Sequence, residues 1–349
     1  MLRQRPAGDK SWPIACSHTT LGVATEELDL SGAHLSYGDF EDATFKGTGV
    51  IRLDGAGLAH ADLSGSTVSA EGKPAQTIDF RGANLTNADL RGSRLTADSD
   101  SNSYGEEGGA TIDFTEADLA HADLSGSTLK AEAARGSADI KFNKATLAHA
   151  NLGDSKLSAG GYWYANIDFD EANLDHADLS GSKVTTDETG GATSATIGFE
   201  KANLASADLS RSELKAEGAE AVIEFRGANL AYADLSGSDF YAYSETYDAI
   251  VDFTKANLAS ADLSGSLLTA VSRLGDTTID FSEANLTNAD LSGANVTSAS
   301  GKRVLPEDAG GSTFKFTQAD FTNADLSGST AALGKARATL AATLASADR

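Results

Sequence analysis

Nine aspartates, Asp62, Asp89, Asp123, Asp178, Asp208, Asp234, Asp262, Asp290 and Asp325, each stand between an Ala and a Leu, and Asn151 holds the same place once. A carboxylate repeated in one local context has three chemical uses. It accepts hydrogen bonds from the backbone of its own turn, it holds cations, or it presents a row of negative charge to a basic partner. The central four, Asp178, Asp208, Asp234 and Asp262, are the candidate partner-binding carboxylates. A second row is mostly amide, through Asn84, Asn173, Asn203, Asn229, Asn257 and Asn285.

Two further groups carry chemistry. His121, His149 and His176 each lie two residues after a Leu of the repeat. A metal centre needs ring nitrogens within ~2.1 Å of one ion together with supporting ligands, whereas residues on neighbouring strands lie ~4.8 Å apart. The spacing therefore favours a solvated stack of neutral imidazoles, and no metal or other cofactor is assigned. The aromatics Tyr162, Trp163 and Tyr164 form one cluster, and Tyr241, Tyr243 and Tyr247 another. Exposed rings bring large contact area at little entropic cost, so these six are candidate partner-binding residues. No Gly-rich phosphate loop, Ser/His/Asp arrangement or distinct carboxylate pair stands out, and an enzyme is not expected. Cys16 lacks any partner placed near it by the sequence and reads as a small buried residue.

All these groups are carried by one repeated element. Apolar centres recur five residues apart, as at Phe199, Leu204, Leu209 and Leu214, and such units open at Leu30, Leu53, Phe80, Phe114, Phe142, Phe169, Phe199, Phe225, Phe253, Phe281 and Phe316. A step of five matches neither the period of 2 of a strand nor the ~3.6 of a helix, so the chain must turn at every step. Within a step, Ala207 and Leu209 are two apart and face inward together, while Asp208 faces out. Ser210 and Arg211 then fall at the bend, where short polar residues and Gly are favoured. Four bends close a square.

Segments such as Ala83-Asn84-Leu85-Thr86-Asn87 and Ala88-Asp89-Leu90-Arg91-Gly92 closely resemble pentapeptide repeats. The resemblance runs from about Leu28 to Thr330 and implies an all-β, right-handed quadrilateral parallel β-helix, here of about eleven turns. It implies binding or scaffolding rather than catalysis. Quinolone-resistance proteins of that family are acidic rods that imitate duplex DNA and occupy the DNA site of gyrase, a type II topoisomerase. That makes a DNA mimic the alternative to a rod that binds some other protein.

One departure is regular. Units start 23 to 35 residues apart instead of 20, with the excess always after the fourth centre. There Leu214-x-Ala216 and Ala221-x-Ile223-x-Phe225 alternate as strands leading out of the square and back, joined near Glu217 to Glu220. Ala97, Ala131, Ala159, Ala216, Ala242 and Ala270 recur on the way out, and Ala110, Ala138, Ala165, Ala195, Ala221 and Ala249 on the way back. A thin, Ala-lined, hairpin-like fin on one edge is expected, with both aromatic clusters at its tips. It would thicken one side of a DNA-like cylinder.

The chain divides into an N-terminal cap (1–27), the repeat body (28–330) and a C-terminal capping helix or tail (331–349). In the last, Leu333, Leu340 and Leu344 recur near helical spacing and offer a route to a homodimer. Trp12, Ile14, Cys16 and Leu21 are expected to cover the first turn. With 51 acidic and 27 basic residues the net charge is −24, which argues against nucleic acid or an anionic membrane as ligand. A row of Thr for binding ice is weakly represented, by Thr86, Thr287 and Thr322. No signal-peptide or membrane-spanning run is present, and a cytoplasmic address is the default expectation.

Overall fold

The structure, a computed structural model, describes residues 14–23, 25–72, 75–100, 108–188, 194–300 and 312–332. Among them every regular element is a β-strand, and all strands pair in parallel with the equivalent strand of the next coil. Strands such as Lys183–Glu188, Glu213–Gly218 and Asp239–Ser244 stack into a 12-stranded sheet. The strands that follow them in sequence, such as Ser194–Gly198, Ala221–Glu224 and Ala249–Asp252, form a second, 11-stranded sheet. Two columns of single bridges run beside the sheets, one through Asn173, Asn203 and Asn229, the other through Asp178, Asp208 and Asp234. The architecture is a parallel β-solenoid with four ladders per coil.

The corners follow from the five-residue step. The amide of Ala207 donates to the carbonyl of Leu204 at 3.1 Å, and that of Ser212 to Leu209 at 3.2 Å, so each apolar centre opens a tight turn. Closing such a turn sends one residue into the left-handed region, as at Ser206 (φ 56°) and Arg211 (φ 56°). Gly takes that place at the third corner of several coils, for example Gly237 (φ 63°) and Gly265 (φ 64°), since it alone adopts positive φ without a Cβ penalty.

Between corners the chain is held from both sides. Asp208 donates its amide to Ala177 of the preceding coil at 2.9 Å, and Leu209 donates its amide to Asp234 of the following coil at 2.7 Å. The interior is filled by Ala and Leu of each step and by a column of Phe, in which Phe142, Phe169, Phe199, Phe225 and Phe253 stack with centroids 4.7–4.9 Å apart.

Beyond the fourth centre, both Ala columns singled out in the sequence are at most 1% exposed. The two sheets draw so close there that a Cβ at Gly218 would stand 3.0 Å from the Cβ of Ala195. One at Gly161 would stand 3.0 Å from the amide nitrogen of Ala138. Ala and Gly line this contact because a larger side chain would force the sheets apart.

The ladders extend past the expected limits of the repeat body. Ala15 bridges Asp39, and Thr20–Leu21 pairs with Thr44 and Phe45, so part of segment 1–27 already belongs to the stack. Trp12 lies outside the described residues. At the other end, Ala331 and Ala332 continue the strand Thr330–Ala332 on Asn295–Thr297, and so do not begin a helix. Residues 333–349, where the helix was expected, lie outside the described residues.

Candidate interaction surfaces

In the aspartate row each carboxylate closes its own corner. Oδ1 of Asp178, Asp208, Asp234 and Asp262 accepts the amide two residues on, from Ser180, Ser210, Ser236 and Ser264, at 2.8, 2.8, 2.9 and 2.8 Å. Asn151 makes the same bond to Gly153 at 2.9 Å. A backbone donor therefore offsets part of the like-charge repulsion along the row. All four aspartates are half-buried. At Asp89, burial opposes the charge, but hydrogen bonds from Arg91 outweigh it and hold the carboxyl below its ordinary value.

The expected outcome at this row separates its two roles. Asp208→Asn keeps an oxygen acceptor for Ser210 and should leave stability within about 0.5 kcal/mol, while Asp208→Ala, which orphans that amide, should lower it by about 1 kcal/mol. Paired urea denaturation curves of the two variants give the comparison.

The amide row forms a further ladder. Nδ2 of Asn203, Asn229, Asn257 and Asn285 each donates to Oδ1 of the Asn one coil before, at 3.0, 2.9, 2.9 and 3.0 Å. His121 and His149 stack with centroids 4.9 Å apart and planes 2° from parallel, and His176 follows at 5.0 Å and 31°. All three occupy the left-handed corner position, with φ of 56–58°, and are exposed. Among the described residues no group of three or more His, Cys, Asp or Glu is placed to hold a metal ion.

The aromatic candidates separate into two environments. Tyr162, Trp163 and Tyr164 stand at one connection between the sheets, 38%, 37% and 49% exposed, and Tyr247 stands at another, 59% exposed. Leu274, on the next connection, is 52% exposed. Tyr241 and Tyr243 are not at a tip. They belong to strand Asp239–Ser244, where they alternate with buried Phe240, Ala242 and Ser244 and lie half-buried on the outer face of the 12-stranded sheet. Their rings are 6° from parallel with centroids 6.4 Å apart.

One acidic contact escaped the sequence analysis. In the coil beginning at Phe169, Asp168 Oδ1 accepts the amide of Asp170 at 2.8 Å, the usual corner bond. The next coil has Gly198 in place of Asp168, and Asp170 reaches across to accept the amide of Glu200 at 2.6 Å. Its Oδ1 lies in the space that a side chain at position 198 would need, 2.9 Å from the position of a Cβ there. Gly198 in a column otherwise filled by charged residues was the available signal.

Burial, and then the neighbouring Asp168 charge, push the Asp170 carboxyl up to about 7. Between about pH 4 and 7 the folded chain holds this proton while the unfolded chain has lost it, so the contribution of Asp170 to stability falls as pH rises through that window. Because the group is half-exposed, screening reduces the effect to the order of 1 kcal/mol. Asp170→Asn should therefore stabilise the protein at pH 8 and make little difference at pH 4, as read from thermal melts at both values.

The geometry defines a class, a parallel β-solenoid built on five-residue steps with two continuous sheets. The family model for Pentapeptide repeats matches residues 78–97, 223–241 and 279–302, with eight copies. The chain carries pentapeptide repeats over these stretches. Among solved structures it is similar to HetL, a pentapeptide repeat protein involved in heterocyst differentiation regulation from the cyanobacterium Nostoc sp. strain PCC 7120. Identity is 22%, over 92% of this chain and 91% of that one, with a TM-score of 0.22. It is also similar to full-length QnrB1, a plasmid-mediated fluoroquinolone resistance protein, at 13% identity over 79% of this chain and 98% of that one, TM-score 0.22. A third, the pentapeptide repeat protein Rfr23 from the cyanobacterium Cyanothece 51142, is 16% identical over 71% of this chain and 86% of that one, TM-score 0.10. No curated protein matches the sequence.

Proposed function

We propose that the chain is a non-enzymatic rod of about eleven square coils whose paired strands project as a fin, and that it binds a protein partner through the aromatics at the fin tips. The observation that carries this reading is the exposure of Tyr162, Trp163, Tyr164 and Tyr247 at connections between the sheets. Large rings that keep more than a third of their surface in water gain by burying it against another protein. The C-terminal segment would give this rod a route to a homodimer.

The test is affinity capture from the source cell with the wild-type chain and with a variant carrying Ser at positions 162, 163, 164 and 247. The wild type should retain a partner that the variant loses, while both melt at the same temperature. Equal retention would remove the tips from the account.

A second reading has its own observation. The aspartate row runs from Asp62 to Asp325 on one column of bridges, broken only by Asn151, and suits a DNA mimic of the kind that binds a type II topoisomerase such as gyrase. Neutralising Asp178, Asp208, Asp234 and Asp262 to Asn should then abolish any effect on gyrase supercoiling and leave the fold intact. A wild-type chain without effect on supercoiling at low salt would refute this reading.

A further inference from the structure

The outer face of the 12-stranded sheet around Tyr241 and Tyr243 carries a surface distinct from the tips and from the aspartate row. Parallel register places Asp187 beside Glu217 and Glu213 beside Asp239, so like charges face each other at the strand spacing of ~4.8 Å. Burial, and then the Glu217 charge, raise the Asp187 carboxyl above its ordinary value; burial, and then Glu213, do the same at Asp239. The same register sets Lys215 beside Tyr241 and Glu217 beside Tyr243. Lys215 Nζ lies 5.8 Å from the Tyr241 ring centroid and 3.0 Å from Glu217 Oε1, so one cation already occupies the aromatic face with a carboxylate at its side. The Tyr243 ring has a carboxylate neighbour as well. On the next strand Leu267 is 42% exposed on this face, and the patch is part apolar.

We infer that this face docks an extended basic segment of a partner protein with arginines at alternate positions. Side chains two residues apart on an extended strand project from one side with a spacing of ~6.6–6.8 Å. The ring centroids of Tyr241 and Tyr243 are 6.4 Å apart, and near-parallel rings present matching faces. A guanidinium stacks on such a ring and pairs with a carboxylate at once, which an ammonium does less well. The four carboxylates on this stretch outnumber Lys183 and Lys215, so a cationic segment relieves the stacked negative charge.

This inference rests on the reading of the chain as a protein-binding rod, and its test is separate from that of the tips. The probe is a synthetic eight-residue peptide alternating Arg and Thr, titrated by calorimetry into the full chain at low salt. A peptide of the same composition with its arginines in one block is the comparison. The alternating peptide should bind more tightly. Tyr241→Ser with Tyr243→Ser should weaken it by about tenfold. Asp187→Asn with Glu217→Gln should weaken it more than Glu116→Gln with Glu171→Gln, which removes the same charge elsewhere.

Absence of binding, equal binding of the two peptides, or equal loss from both charge pairs would overturn the inference. None of these outcomes bears on partner capture through Tyr162, Trp163, Tyr164 and Tyr247. Loss of that capture would leave the peptide result standing.

Discussion

Leu209→Asp is expected to abolish cooperative folding of the central coils. Leu209 is 0% exposed, its amide donates to Asp234 and its carbonyl accepts from Ser212 and from the Ser238 hydroxyl. Its side chain sits in the buried interior among the Ala and Leu columns, close in sequence to the buried neutral hydroxyl of Ser212. Burying an unpaired charge there costs at least about 4 kcal/mol, at the far end of what single substitutions do. Because each coil of a solenoid is stabilised mainly by its neighbours, the defect also removes a stacking surface from the coils on either side. Circular dichroism melts should show a large fall in Tm or two separated transitions. A curve that matches the wild type would refute the inward phase assigned to the repeat.

The second large effect is expected at the Phe column. Phe199 is fully buried between Phe169 and Phe225, with centroids 4.8 Å away on both sides and planes within 3° of parallel. Phe199→Ala removes a ring from a close-packed interior and should destabilise by about 3–5 kcal/mol. The neighbouring rings each lose one stacked face, so Phe199→Ala and Phe225→Ala together should cost less than the sum of the separate losses. Guanidinium denaturation of the two single variants and the double variant measures the coupling. Strict additivity would mean that the rings contribute only by their own burial.

The repeat was legible because its physical causes are local. A residue two before each centre has to be small, the centre has to be apolar, and the bend has to tolerate positive φ. Ala207, Leu209 and Arg211 show all three in five residues. The strands beyond the fourth centre were also legible, since Leu214, Ala216, Ala221 and Ile223 keep a period of two and each is at most 1% exposed.

What escaped was set partly by where a strand ends and partly by contacts between coils. Tyr241 and Tyr243 flank buried Ala242, and that parity already points them to the outer face. Their assignment to a tip failed because strand Asp239–Ser244 runs to six residues before the chain turns. The reach of Asp170 to Glu200 depends on two residues thirty positions apart, and only stacking brings them together. The ladder outruns the repeat at both ends, since Thr20–Leu21 and Ala331–Ala332 join it through backbone bonds that need no repeat motif.

Hydroxyl-radical footprinting of the captured complex tests partner binding through the tips most directly, because aromatic side chains are labelled in proportion to their exposure. The account predicts that Tyr162, Trp163, Tyr164 and Tyr247, all exposed in the free chain, are protected when the partner is bound and recover their labelling when it is removed. Unchanged labelling of these four residues in a complex that has formed would contradict it.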